Sequence, residues 1–144
     1  MNVVVDTCVW STAFRPVLKP ELKDVVNELK ELIGERRVVL LGPIRQEVLS
    51  GVRKQEQFEA LKEHLKPFED FPLTSEDYEY AAELFNMFRS KGLQGSNADF
   101  LIVAVSMKHD LSVFSTDKDF KLYMKHLKFH LHEIRKQSYP GTNV

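Results

Sequence analysis

The sequence predicts an α/β fold: a single-domain α/β/α sandwich with a mainly parallel sheet of about five strands flanked by helices. Three observations lead there. Short apolar runs at Val3–Val5, Val38–Leu41 and Leu111–Phe114, bounded by turn signals and in two cases rich in β-branched residues, read as buried strands. Segments with helical apolar spacing alternate with them, which is the signature of parallel strands joined by crossover helices. The chain has 144 residues, enough for one full hydrophobic core and too few for two.

In chain order, Val3–Val5 opens the sheet. Leu22, Val25, Val26, Leu29, Leu32 and Ile33 then fall on one helical face and predict the first crossover helix. Val38–Leu41 forms the second strand, and Pro43 opens the next helix at the first-turn position that suits a residue without an N–H. Phe58, Leu61 and Leu65 predict a short helix before a weak strand at Phe68–Phe71. Tyr78, Ala81, Ala82, Phe85 and Phe88 define another helical face. The run from Ala98 to Lys108 predicts a strongly apolar helix leading into the Leu111–Phe114 strand, and Lys128–His132 reads as the last strand. The domain is expected to span residues 1–137, with a loose tail at 138–144 that carries Pro140 and Gly141.

Composition narrows the function. Twenty Lys and Arg against 21 Asp and Glu give a net charge of −1, so no global basic field marks a nucleic-acid binder and any such contact must be local. Cys8 is the only cysteine, which rules out an internal disulfide and a thiolate metal cage. Neither a signal-like N-terminus nor a run of about 18 apolar residues occurs, so a cytoplasmic protein with no membrane partner is expected.

The acids carry the functional information. Ligands of open parallel sheets bind at the carboxyl rim, where strands end and the following helices begin. Asp6 closes the first strand, Glu47 sits early in the helix opened by Pro43, and Asp99 lies in the first turn of the helix that precedes the Leu111–Phe114 strand. Ser115, Asp117 and Asp119 follow directly from that strand's end. Two unit charges about 5 Å apart repel by roughly 3 kcal/mol at an effective dielectric near 20, so such a cluster must hold protons or a cation. An all-oxygen donor set favours Mg²⁺ or Mn²⁺ over Zn²⁺.

Each acid also has a structural reading. Ser96-Asn97-Ala98-Asp99 fits a helix capping box, and on pattern alone Asp99 divides evenly between cap and ligand. Glu47 by itself reads as a solvated residue near a helix N-terminus, and Asp117 and Asp119 as turn formers. Asp6 resists this treatment, because an acid closing a fully apolar strand is partly buried at a cost. The HxxxHxH spacing of His126, His130 and His132 reads as surface or partner-facing rather than as a zinc site. Cys8 reads as a small buried hydrophobe, and Trp10 and Phe14 as core or dimer-interface residues. Arg45, Arg53, Lys54, Lys91, Lys118 and Lys121 are candidate phosphate contacts.

The stretches VVVDTCVW, IRQEVLSG and NADFLIVAVSMKHDLSVFSTDKDF together resemble the PIN-domain nucleases, and the overall length is similar to that of VapC-type toxins of toxin–antitoxin modules. The third stretch is the most specific, joining an acid in a helix's first turn to an S/T-x-D-x-D-F turn. The resemblance implies a metal-dependent endoribonuclease in which Asp6, Glu47, Asp99 and Asp117 hold Mg²⁺ or Mn²⁺. It further implies that Ser115 supports the acids through its hydroxyl and that Asp119 is a further site acid, one that takes part in some relatives when the position matching Asp117 is Asn. An RNA substrate, a homodimer and a VapB-like antitoxin that restrains the nuclease are implied with it. The alternatives are a PIN-like partner-binding module without nuclease activity, and a PIN nuclease of RNA processing that is not a toxin. A haloacid-dehalogenase-like phosphotransferase is disfavoured because Cys8 stands where its DxDx[TV] pattern needs a second acid, and no G-x-x-x-x-G-K-[ST] phosphate loop is present.

Overall fold

The computed structural model describes residues 1–135, so the expected tail at 138–144 lies outside the described residues. Strands β1 (Val3–Val5), β2 (Val38–Val39), β3 (Ser112–Phe114) and β4 (His130–Leu131) form one sheet in the order β2-β1-β3-β4. All three pairings are parallel, with Val3 opposite both Val38 and Ser112, and Val5 opposite Phe114. The expected fifth strand at Phe68–Phe71 shrinks to a single parallel bridge between Leu40 and Asp70.

Helices α2 (Lys23–Gly34), α3 (Gly42–Ser50), α4 (Gln55–Leu65), α5 (Ser75–Ser90) and α6 (Asn97–Lys108) lie where the apolar spacing puts them. Two short helices, α1 (Thr7–Ala13) and α7 (Asp119–Tyr123), and a 3₁₀ turn at Pro20–Leu22 are additions to the predicted order. The chain crosses from β1 to its neighbour β2 and then back past β1 to β3, and right-handed crossovers in these two opposite directions put their helices on opposite faces of a sheet. Trp10 of α1 is fully buried and meets Phe68 edge-on, while Phe88, Phe100, Phe120 and Tyr123 interlock α5, α6 and α7. The central strand β1 is wholly inaccessible, as its three valines require.

The buried face of α5 differs from the expected one. Asp77, Ala81, Leu84 and Phe88 point inward, whereas Tyr78 is 50% exposed and Ala82 is exposed. Asp77 turns the helix this way because it finds partners there. It completes a capping box with Thr74, and its carboxylate meets His109 Nε2 at 3.1 Å and Lys108 Nζ at 3.3 Å. These contacts hold the Asp77 pKa at about 2, against the burial that would raise it. His132 also departs from its surface reading: its Nε2 lies 2.5 Å from the buried Glu28 carboxylate, which Arg135 contacts at 2.8 Å, fastening the chain after β4 to α2.

Candidate metal centre

The order β2-β1-β3-β4 places a topological switch point between β1 and β3, because the chain leaves these neighbouring strands toward opposite edges. A crevice opens beyond their carboxyl ends. Asp6, Thr7, Cys8, Glu47, Ser96, Asp99, Asp117 and Asp119 line it. The expected acids therefore share one depression, and among the described residues no basic side chain lines it. Among the described residues, none of these five acids takes part in an ion pair.

Asp6 does two jobs. It caps α1, accepting from the Thr7 N–H at 2.8 Å, and its other oxygen accepts from Ser115 Oγ at 2.8 Å. The Ser115 oxygen in turn accepts from the Asp117 N–H at 3.0 Å, and Asp117 Oδ1 accepts from the Asp119 N–H at 2.9 Å. A chain of hydrogen bonds thus runs from the end of β1 through Ser115 into the turn after β3. Ser115 does not itself line the crevice; its hydroxyl also lies 3.5 Å from Sγ of Cys8, which does.

Asp99 arrives from the opposite side, in the first turn of α6. Ser96 Oγ accepts from its N–H at 3.0 Å, as the capping reading expects, but the Asp99 carboxylate turns to the site and accepts from Tyr123 Oη at 2.8 Å. Burial raises the Asp99 pKa; the Tyr123 and Ser96 hydrogen bonds lower it, and the charges of Asp6 and Asp117 push it up again, so that the net shift from its ordinary value is upward. Burial, followed by the neighbouring Asp99 carboxylate, moves the Tyr123 phenol far upward, so it stays a donor. Carboxylate oxygens of Asp99, Asp117 and Asp119 come within 4.8 Å of one another. That is an oxygen donor set spaced to share one hard cation, and Asp6 and Glu47 border it.

Two single-residue expectations change. Cys8 is half-buried at the crevice wall rather than in the core: Sγ lies 3.4 Å from Asp6 Oδ2 and accepts from Thr116 Oγ1 at 3.2 Å, tying the β3–α7 turn to α1. Arg45 is not free for phosphate. Its Nε donates to Asp70 at 2.8 Å, its Nη1 to the Leu65 carbonyl at 3.0 Å, and its Nη2 to the Phe68 carbonyl, so it clamps the segment after α4. Tyr123 is a site residue beyond the sequence candidates; its one local signal is that it stands four residues after Asp119, the spacing that puts two side chains on one helical face.

The sequence profile of the PIN domain family matches residues 3–125. The chain belongs to the PIN domain family. Comparison with curated proteins gives no match. Among solved structures, FitAcB from Neisseria gonorrhoeae is 26% identical with a TM-score of 0.66, over 80% of this chain and 87% of that one. VapBC2 from Rickettsia felis, bound to a DNA fragment from its promoter, is 20% identical with a TM-score of 0.66, over 85% and 92% of the two chains. VapBC-1 from nontypeable Haemophilus influenzae is 14% identical with the same TM-score of 0.66, over 94% and 100%. The PIN domain described here thus has the family and fold that its three sequence stretches resemble, and its acids cluster at the carboxyl rim.

Proposed function

We propose that this PIN domain is a divalent-metal-dependent endoribonuclease that cleaves single-stranded RNA and so blocks translation, as the toxin of a VapBC-type toxin–antitoxin pair. The observation that carries the reading is the crevice lined by Asp6, Glu47, Asp99, Asp117 and Asp119 with no basic side chain among the described residues that line it. Such a crevice repels an RNA phosphate unless a cation stands between them.

Asp6, Asp99 and Asp117 hold Mg²⁺ or Mn²⁺, directly or through waters. Glu47, exposed on α3, completes the set or orients the attacking water. Ser115 keeps Asp6 and the Asp117 backbone in register, and Asp119 shares the ion with Asp117. When bound, the ion neutralises phosphate charge and makes a water more acidic. The rigid β1 and β3 fix the acids before substrate arrives, so little reorganisation opposes the reaction.

A VapB-like antitoxin is the proposed partner, since the structural neighbours include VapBC proteins. Two adjoining, largely apolar depressions walled in common by Phe14 and His64 offer such a partner a surface along α1, α2 and α4. A homodimer acting in the cytoplasm completes the proposal. No helix among the described residues is long and apolar enough to cross a membrane.

The test is incubation of the purified protein with a mixed RNA pool and Mg²⁺ or Mn²⁺, with and without EDTA, beside Asp6→Asn. Cleavage that requires the metal and disappears in the variant is expected. No cleavage with either ion, together with no metal binding, would replace the nuclease by a partner-binding module. Full cleavage by Asp6→Asn would remove the site assignment.

A further inference from the structure

We propose that Tyr123 is a positioning residue for the metal centre, its hydroxyl fixing one oxygen of Asp99 so that the other is presented to the cation. The inference rests on the metal-dependent reading above and deepens it. Three observations carry it. The Tyr123 hydroxyl donates to Asp99 Oδ2 at 2.8 Å, and the same carboxylate contributes to the oxygen cluster with Asp117 and Asp119. The Tyr123 ring cannot wander: the residue is wholly buried, and its centroid lies 5.6 Å from that of Phe88, 5.3 Å from Phe100 and 5.4 Å from Phe120.

The third observation is the space left for the hydroxyl. A Cβ on Gly95 would meet Tyr123 Oη at 2.6 Å and the Phe100 ring at 2.7 Å, closer than real Cβ contacts come. The loop before α6 therefore has a glycine where any side chain would push the phenol off Asp99. Helix α7 brings both halves of the arrangement, since Asp119 and Tyr123 are one turn apart: the first lines the crevice, and the second reaches Asp99 through the core. A carboxylate ligand whose far oxygen is held by a fixed donor loses little freedom on binding a cation, and removing such a donor typically weakens metal affinity 10- to 100-fold.

The experiment measures Mn²⁺ dissociation constants, by calorimetry or by the paramagnetic resonance of free Mn²⁺, for wild type, Asp99→Asn, Tyr123→Phe and Gly95→Ala. Tyr123→Phe keeps the ring in its aromatic cluster and is expected to melt in EDTA within a few degrees of wild type. Its Mn²⁺ dissociation constant is expected to rise roughly tenfold, and saturating Mn²⁺ is expected to restore kcat on RNA to near the wild-type value. Gly95→Ala, which keeps the hydroxyl but presses on it, reads the same quantity should the phenylalanine variant fail to fold. Unchanged Mn²⁺ affinity in a folded Tyr123→Phe or Gly95→Ala protein, with wild type binding and Asp99→Asn not, overturns the role of Tyr123 and leaves the metal centre standing. No Mn²⁺ binding by wild type, or full binding by Asp99→Asn, overturns both.

Discussion

Replacing Asp99 by Asn is expected to make the metal-free protein more stable while removing its proposed activity. Oxygens of Asp99, Asp117 and Asp119 crowd within 4.8 Å. At that distance each charged pair repels by about 1 kcal/mol in water and by roughly 3 kcal/mol at an effective dielectric near 20. Asp117 and Asp119 are exposed, which places their pairs with the half-buried Asp99 toward the water limit. Neutralising Asp99 therefore relieves on the order of 1–2 kcal/mol. An Asn oxygen still accepts from Tyr123, so the gain is not offset there. For a chain of this size that corresponds to a rise in melting temperature of roughly 3–6 °C in EDTA. Saturating Mn²⁺ reverses the ranking: a ligand at a hundred times its dissociation constant stabilises by about 2.7 kcal/mol, and only wild type receives it. Thermal melts of both proteins in EDTA and in Mn²⁺, read beside RNA cleavage, test this. A variant that melts lower than wild type in EDTA, or gains as much from Mn²⁺, refutes the idea that uncompensated charge at Asp99 is held for a cation.

Arg45→Met breaks the clamp on Asp70, the Leu65 carbonyl and the Phe68 carbonyl, and is expected to cost about 2–4 kcal/mol in urea unfolding with Mn²⁺ affinity unchanged; a loss below about 0.5 kcal/mol would count against the clamp. Ser115→Ala removes the one hydroxyl that serves both Asp6 and the Asp117 N–H, so RNA cleavage should fall about 10- to 100-fold in a folded protein. Asp77, held at a pKa of about 2 instead of 3.8, contributes stability that is present above about pH 4 and is lost as the pH falls through about 2. Unfolding measured from pH 7 to pH 2 should therefore fall by up to about 2 kcal/mol more steeply in wild type than in Asp77→Asn, and parallel curves would show that the Lys108 and His109 contacts contribute nothing.

The acids were legible because the rule that reveals them depends on topology rather than on fine geometry. Once Val3–Val5 and Leu111–Phe114 are parallel neighbours, whatever follows each strand must meet at one rim, and Asp6 and the Ser115–Asp119 turn do. Helix α1 was not legible, since Thr7, Cys8, Val9 and Trp10 favour a strand by intrinsic preference. Burial of Val9, Trp10 and Thr12, together with the cap from Asp6, decides for helix. Helix α7 has five residues, too few for a period to emerge. What pattern reading misses most is the choice of partner. Arg45 stands among residues that would suit a phosphate, yet two carbonyls and Asp70 claim it; Tyr78 lies on the more apolar face of α5, yet Asp77 takes the buried position because Lys108 and His109 wait at the C-terminal end of α6. The same holds within the site. Asp6 is separated from Ser115 by 109 positions and Asp99 from Tyr123 by 24, and nothing local ties either acid to its donor. Which carboxylates converge is thus set by strand order, while how firmly each is held is set by distant hydroxyls that only the packed core brings into reach.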